Sequence, residues 1–207
     1  MSTNQLCFVL ENKGNCSDSE LISKCNSISF DNNSIKLEIY KLQSVYFIII
    51  QALKQDSNTI RQFQQLLKSL QELDRIIKIS SKLNCIFKKE ALDNTTSDHK
   101  RIVMSLELKN DPILISEYKQ IHRKDKIWPQ IITNMDTIGI LDMGLYLYNY
   151  SAFIIMDTHL DFDLEKDGKQ WSNLPKEREW QSYVAKFQKV NPDSKAMEKW
   201  QIMTPLL

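Results

Sequence analysis

At 207 residues with a net charge of +1, the chain is long enough for one large domain or two small ones. Apolar residues make up 42% of it, and charges of both signs are interspersed without a block of either. That pattern excludes the basic footprint of a nucleic-acid binder or a polybasic membrane surface, and leaves small molecules or other proteins as partners.

Met1 to Gln5 shows no basic region running into an apolar stretch, so no secretory signal is expected and a cytoplasmic location is. The longest apolar run, Val45 to Ile50, is far short of the roughly 20 residues that cross a bilayer. Cys7, Cys16, Cys25 and Cys85 all fall in the first half, with no CxxC pair and no clustered histidines. They read as buried or idle thiols in a reducing compartment, with no metal site.

In chain order, the first strong signal is a hairpin. Ile35 to Leu42 alternates, Gln43-Ser44 turns, and Val45 to Ile50 is continuously apolar, as expected of one half-exposed strand beside one buried strand. Leu10-Glu11 sits in an earlier strand and Leu21-Ile22-Ser23 opens a helix. After the hairpin, Ile60, Phe63, Leu67, Leu70, Leu73 (or Asp74 beside it) and Ile77 keep an apolar face at helical spacing. Asn84 to Lys88 reads as a closing strand. The polar stretch Asp93 to His99 lacks periodicity and reads as a linker.

The second half repeats this plan. Leu106-Glu107 matches the early strand and Leu114-Ile115-Ser116 the helix. Leu141 to Tyr148, Asn149-Tyr150 and Ser151 to Met156 repeat the hairpin, with Tyr40 falling on Tyr146 and Phe47-Ile48-Ile49 on Phe153-Ile154-Ile155. Trp180, Tyr183, Val184 and Phe187 mark the second helix, and Lys199 to Thr204 the closing strand. Each half is thus βαββαβ. The expected fold is α+β, two tandem ferredoxin-like units, with a first domain over 1–93, a linker over 94–100 and a second domain over 101–207.

Several separated motifs of the second half resemble the L-rhamnose mutarotase family. Arg101 to Leu108 leads to Asp111-Pro112, an N-cap followed by proline at the first helical position. Then come Glu117-Tyr118, His122 and Ile127-Trp128-Pro129. Gly139 suits a helix end before Ile140 to Met143. Glu179-Trp180 through Gln188 resembles the family's second helix, and Glu198-Lys199-Trp200 its last strand. Some members carry a sugar-contacting tyrosine where this chain has Met143, and others share the methionine. The first half keeps the frame without a matching histidine, and without any tryptophan.

The resemblance implies a cofactor-independent aldose mutarotase acting on a deoxyhexose such as rhamnose or fucose. It implies His122 as catalytic residue, and Tyr118, Trp128, Asp142, Met143, Tyr146 and Trp180 as substrate-binding residues, with no metal. Members of the family pair two units as a homodimer, a dimeric α+β barrel. The chain is therefore expected to form that pair internally, as a monomer whose first half is a worn copy.

Residue chemistry fits that implication. Mutarotation moves one proton off the anomeric hydroxyl and one onto the ring oxygen, and histidine serves either role near neutral pH. Tyr118 and His122, four apart, share a helix face. Trp180 and Trp128 offer flat faces to a pyranose, Trp128 reading more as a helix-entry anchor before Pro129. Strand alternation puts Asp142, Gly144 and Tyr146 on one face and Met143 and Leu145 on the other, so Asp142 or Met143 reaches a ligand, not both without a bulge. Asp157 to Asp163 fits no standard metal loop and reads as a hairpin-to-helix connection. Trp171 has no assignment. A non-catalytic sugar-binding or scaffolding protein is the alternative. A haem-binding relative from another dimeric α+β barrel family ranks last, and a Soret band would reveal it.

Overall fold

The computed structural model describes residues 4–13, 16–26, 35–53, 56–71, 77–90, 98–189 and 199–207. It contains two five-stranded antiparallel sheets, each in its own compact unit: residues 1–83 with 203–207, and residues 84–202. Among the described residues, no helix is long and apolar enough to cross a membrane.

The first unit runs β1 (Asn4–Asn12), α1 (Asp18–Asn26), β2 (Ile35–Leu42), β3 (Val45–Ala52), α2 (Ser57–Gln71) and β4 (Ile77–Ile79). The second runs β5 (Cys85–Lys89), β6 (Lys100–Glu107), α3 (Pro112–Ile121), α4 (Pro129–Thr137), β7 (Ile140–Tyr148), β8 (Ser151–Thr158), α5 (Leu164–Trp171), α6 (Glu177–Ala185) and β9 (Gln201–Ile202), and β10 (Thr204–Pro205) follows. Both hairpins form as expected, with Leu42 opposite Val45 and Tyr148 opposite Ser151. Each two-residue turn opens on a left-handed residue, Gln43 at φ 53° and Asn149 at φ 51°.

The closing strands differ from the sequence reading, in which each half completes its own sheet. The sheet orders are β10-β2-β3-β1-β4 and β5-β7-β8-β6-β9. β5, which precedes the linker, lies along β7 with Phe87 opposite Leu145 and Lys89 opposite Met143. β10, at the far end of the chain, lies along β2 with Pro205 opposite Tyr40. Two further bonds extend that pairing, Leu206 N–H to the Ile39 carbonyl (2.8 Å) and Ile39 N–H to the Leu207 carbonyl (3.1 Å). The short strands β4 and β9 take the edges beside β1 and β6. The edges of β2 and β7 would otherwise present rows of unpaired backbone groups, and the exchanged strands cover them. Lys89, 5% exposed, fastens β5 by pairing with Asp136 (2.8 Å) and donating to the Leu141 carbonyl (3.0 Å). The linker expected over 94–100 falls largely on 91–97, outside the described residues.

The first core gathers Phe8, Leu10, Leu21, Ile39, Tyr46, Ile48, Ile50 and Leu66. On α2, Leu66 and Thr59 are buried while Ile60, expected on the apolar face, is 56% exposed. Thr59 and Leu66 are two turns apart on one face, and Ile60 is rotated about 100° from Thr59. The side chains of Phe63, Leu67, Leu70 and Ile77, and all of Leu73 and Asp74, lie outside the described residues. β2 and β7 are also less exposed than their alternation predicts: Glu38, Ile39 and Tyr40 are buried in succession, as are Met143 to Tyr146. Successive buried residues mean both faces are covered there. Cys7, Cys16 and Cys25 are buried free thiols and Cys85 is an exposed one.

In the second unit, Asp111 caps α3 by accepting from the backbone N–H of Ile113 and Leu114, with Pro112 in the first turn. A cap of this kind contributes about 1 kcal/mol. α4 begins at Pro129 and hands over to β7 through Gly139, at φ +85°. A side chain there would be strained, and its Cβ would fall 2.8 Å from the His159 ring.

Candidate functional site

α3 ends in two rings packed together, Tyr118 at 2% exposure and His122 at 7%, with centroids 4.2 Å apart. His122 is the C-cap of that helix, and its Nδ1 lies 2.7 Å from the Tyr118 carbonyl oxygen. A carbonyl only accepts, so Nδ1 carries the proton and donates, leaving the Nε2 lone pair as acceptor. Burial pulls the His122 pKa down to about 4, opposed by the bond to the Tyr118 carbonyl. The ring is therefore neutral near pH 7. Burial pushes the Tyr118 phenol above its ordinary range, which keeps it protonated.

Trp180, buried on α6, meets the His122 ring edge-on at 5.5 Å. Trp128 packs against Trp180 at 5.4 Å and stacks on Tyr183 at 6.1 Å. Between α3, α6 and the sheet lies a cavity of about 90 Å³, bordered by Tyr118, His122, Met143, Leu145, Ile154, Glu177, Trp180, Gln181 and Gln188. That volume holds several waters, each of which needs roughly 10–15 Å³. Phe87 of the exchanged strand β5, Trp171 of α5 and Trp200 also line it.

Two polar groups in this wall stand out. Glu177, 2% exposed, accepts at one oxygen, Oε1, from the Trp171 indole N–H (2.8 Å) and the Asn134 amide (3.0 Å). Asn134 is itself fixed by donating to the Pro175 carbonyl (2.8 Å) and accepting from Gln130 (2.9 Å). Burial raises the Glu177 pKa, opposed by its hydrogen bonds from Asn134, Trp171 and Gln181. Gln188, 3% exposed, has a side-chain oxygen with no hydrogen-bond partner among the described residues.

Residues 101–206 match the L-rhamnose mutarotase family profile. The chain belongs to this family. It is 33% identical over 110 residues to a UPF0734 protein of Dictyostelium discoideum, covering 51% of this chain and 86% of that protein. It is 26% identical over 100 residues to the L-fucose mutarotase of Xanthomonas campestris, covering 48% of this chain and 80% of the relative. It is 31% identical over 84 residues to the L-rhamnose mutarotase of Flavobacterium johnsoniae, covering 38% of this chain and 70% of the relative.

Of the family positions singled out in the sequence, the cavity brings together Tyr118, His122, Met143 and Trp180. Trp128 stands behind Trp180, outside the lining. Asp142 and Tyr146 take the other face of β7. Asp142 pairs with Lys88, and Tyr146 lies beside Gly144, where an added Cβ would come within 2.9 Å of its ring. A register shift between Ile140 and Asp142 precedes this segment, and alternation holds from Met143 onward. The acidic stretch is occupied structurally: Asp157 makes a two-pronged pair with Arg101 (2.6 and 2.7 Å), and Asp163 caps α5. Sequence reasoning missed Glu177, Gln181 and Gln188, and left Trp171 unassigned. One signal existed for two of them: Glu177 lies three residues before Trp180 and four before Gln181, the spacings that meet on a helix surface.

Proposed function

We propose that the region over 101–207 is a cofactor-independent mutarotase that interconverts the α and β anomers of a deoxyhexose of the L-rhamnose or L-fucose type. The observation that carries this reading is His122, a buried neutral imidazole whose Nδ1 is held by a backbone carbonyl and whose Nε2 remains a base. Nε2 takes the proton of the anomeric hydroxyl, the bond from C1 to the ring oxygen breaks, and that oxygen is protonated. The open aldehyde turns about C1–C2 and recloses on its other face. Proton transfers alone carry the reaction, so it requires no metal and no redox cofactor. Trp180 offers a face to the sugar C–H groups, while Tyr118 and Met143 bound the pocket. Trp128, Asp142 and Tyr146 act from behind it as supports.

The relatives named as L-fucose and L-rhamnose mutarotases support this substrate class. The first half, over 1–93, keeps the frame and supplies no catalytic group. Because both halves of the strand exchange lie in one chain, the protein works as a monomer.

Two-dimensional NMR exchange spectroscopy of L-rhamnose and L-fucose tests the activity. Acceleration of anomer exchange is expected, with a fall of about 10²–10⁴-fold in His122→Ala, and light scattering on the same sample is expected at the 24.3 kDa chain mass. Sugar binding without acceleration would support the non-catalytic alternative, and neither binding nor acceleration would sink the reading.

A further inference from the structure

We propose that Glu177 is the second catalytic group of this cavity, the carboxyl that exchanges a proton with the ring oxygen of the sugar while His122 serves the anomeric hydroxyl. The inference rests on the mutarotase reading and deepens it. Ring opening needs a proton donor as well as a base. With Nδ1 committed to the Tyr118 carbonyl at 2.7 Å, His122 offers the cavity only an acceptor, so the donor must come from another residue.

Among the residues bordering the cavity, three carry side chains that exchange protons in water: Tyr118, His122 and Glu177. The Tyr118 phenol is a weak acid made weaker by burial. Glu177 is the one carboxyl in the lining, and its setting suits a neutral acid. Among the described residues no cation pairs with it, and an ionised carboxylate buried without one is costly. Two of its three donors, Trp171 and Asn134, point at Oε1, and Gln181 also bonds to the carboxyl. Both acceptor sites of that oxygen are then filled, so a proton held by this carboxyl sits on Oε2. Burial raises its pKa in the same sense. An independent sign that a polar ligand fills this space is the Gln188 oxygen, buried in the same wall without a donor among the described residues. Such an orphan costs about 1–3 kcal/mol, and a sugar hydroxyl would satisfy it.

The protons balance. His122 Nε2 takes the anomeric proton as C1 becomes a carbonyl carbon. The electrons of the broken C1–O bond remain on the ring oxygen, which takes the proton of Glu177 and becomes a hydroxyl. After rotation about C1–C2, the Glu177 carboxylate removes that proton as the oxygen re-adds, and the imidazolium returns its own proton to the new anomeric oxygen.

Glu177→Gln preserves an Oε1 acceptor for Trp171 and Asn134 and removes only the exchangeable proton. In the full-length chain, anomer exchange of L-rhamnose and L-fucose should fall by about 10²–10⁴-fold, with sugar affinity and melting temperature close to wild type. Activity within about threefold of an active wild type would overturn the role of Glu177 and leave the mutarotase reading standing. A wild type that accelerates neither sugar would bring down both. If Glu177→Gln fails to fold, Glu177→Ala with added formate decides: restored exchange supports the proposal, and its absence overturns it.

Discussion

The two sheets share one strand order, edge for edge, yet their helices have been put to different use. Aligning Leu21-Ile22-Ser23 with Leu114-Ile115-Ser116 sets the buried Cys25 at the level of Tyr118, its thiol pushed up to about 11 by burial, and puts the level of His122 at Ser29, outside the described residues. The polar cluster of the first unit is closed: Asp18 accepts from Lys41 (2.7 Å) and from the Tyr46 hydroxyl (2.8 Å), and those bonds lower its pKa. In the second unit the polar groups bordering the cavity are open. Among the described residues, His122 keeps a free lone pair, Glu177 lacks a cation, and Gln188 lacks a donor. Orphaned buried polar atoms occur in both units, since Thr59 Oγ1 and Gln62 Oε1 of α2 also have no partner among the described residues; what sets the second unit apart is that its Gln188 oxygen borders a cavity.

The exchange of strands complicates this division, because a segment from the site-free half finishes the wall of the site. Phe87 is 7% exposed and lies in the cavity lining, though it precedes the linker. Phe87→Ala should cost about 3–5 kcal/mol of stability, the usual range for a buried phenylalanine, and should weaken sugar binding as well. Urea denaturation alongside NMR exchange checks both. A stable, fully active Phe87→Ala chain would mean that β5 is incidental to the site.

Acid should distinguish the halves next. All three histidines, His99, His122 and His159, follow residue 98, and His122 alone is buried. Its folded pKa of about 4 lies below the ordinary value of 6.5, so the unfolded chain binds more protons between those values. The contribution of His122 to stability is fully present above about pH 6.5 and is lost as pH falls toward 4, a change on the order of 3 kcal/mol. Glu177 works in the opposite direction, since its raised pKa gives stability at low pH that is lost as pH rises through the folded value. Comparing wild type with His122→Asn across pH 4–7 isolates the histidine. The two stabilities should converge toward pH 4, and a constant difference would contradict a buried neutral ring.

What was legible in the sequence was local. The hairpins showed in period-two patterning and two-residue turns, α3 in Asp111-Pro112, the exit from α4 in Gly139, and the Tyr118–His122 pair in one turn of helix. The choice of Met143 over Asp142 followed from alternation once one of them was known to face the cavity. The strand exchange was not legible, because β5 and β10 are short strands whose own residues do not specify which edge they cover. Nor was the cradle of Glu177, which joins Asn134 on α4, Trp171 on α5 and Glu177 on α6, at spacings no helix or strand period predicts. On α2 the expectation missed at Ile60 alone among the described side chains: Thr59 is less apolar than Ile60 and is nonetheless the buried one.

The finest test of open against closed polar groups is Gln188→Leu. An apolar side chain of similar length removes the orphaned oxygen, and replacing an unsatisfied buried polar group in this way is neutral or stabilising by up to about 1 kcal/mol. The same change removes an acceptor for a sugar hydroxyl, so sugar affinity should fall about 5–20-fold, equivalent to roughly 1–2 kcal/mol. Stability and affinity thus move in opposite directions, which neither simple core damage nor an idle surface residue produces. Thermal melts and NMR titration with L-fucose and L-rhamnose read the two quantities separately. A variant that loses both would place Gln188 in the packing of α6, as closed a residue as Asp18 in the other half.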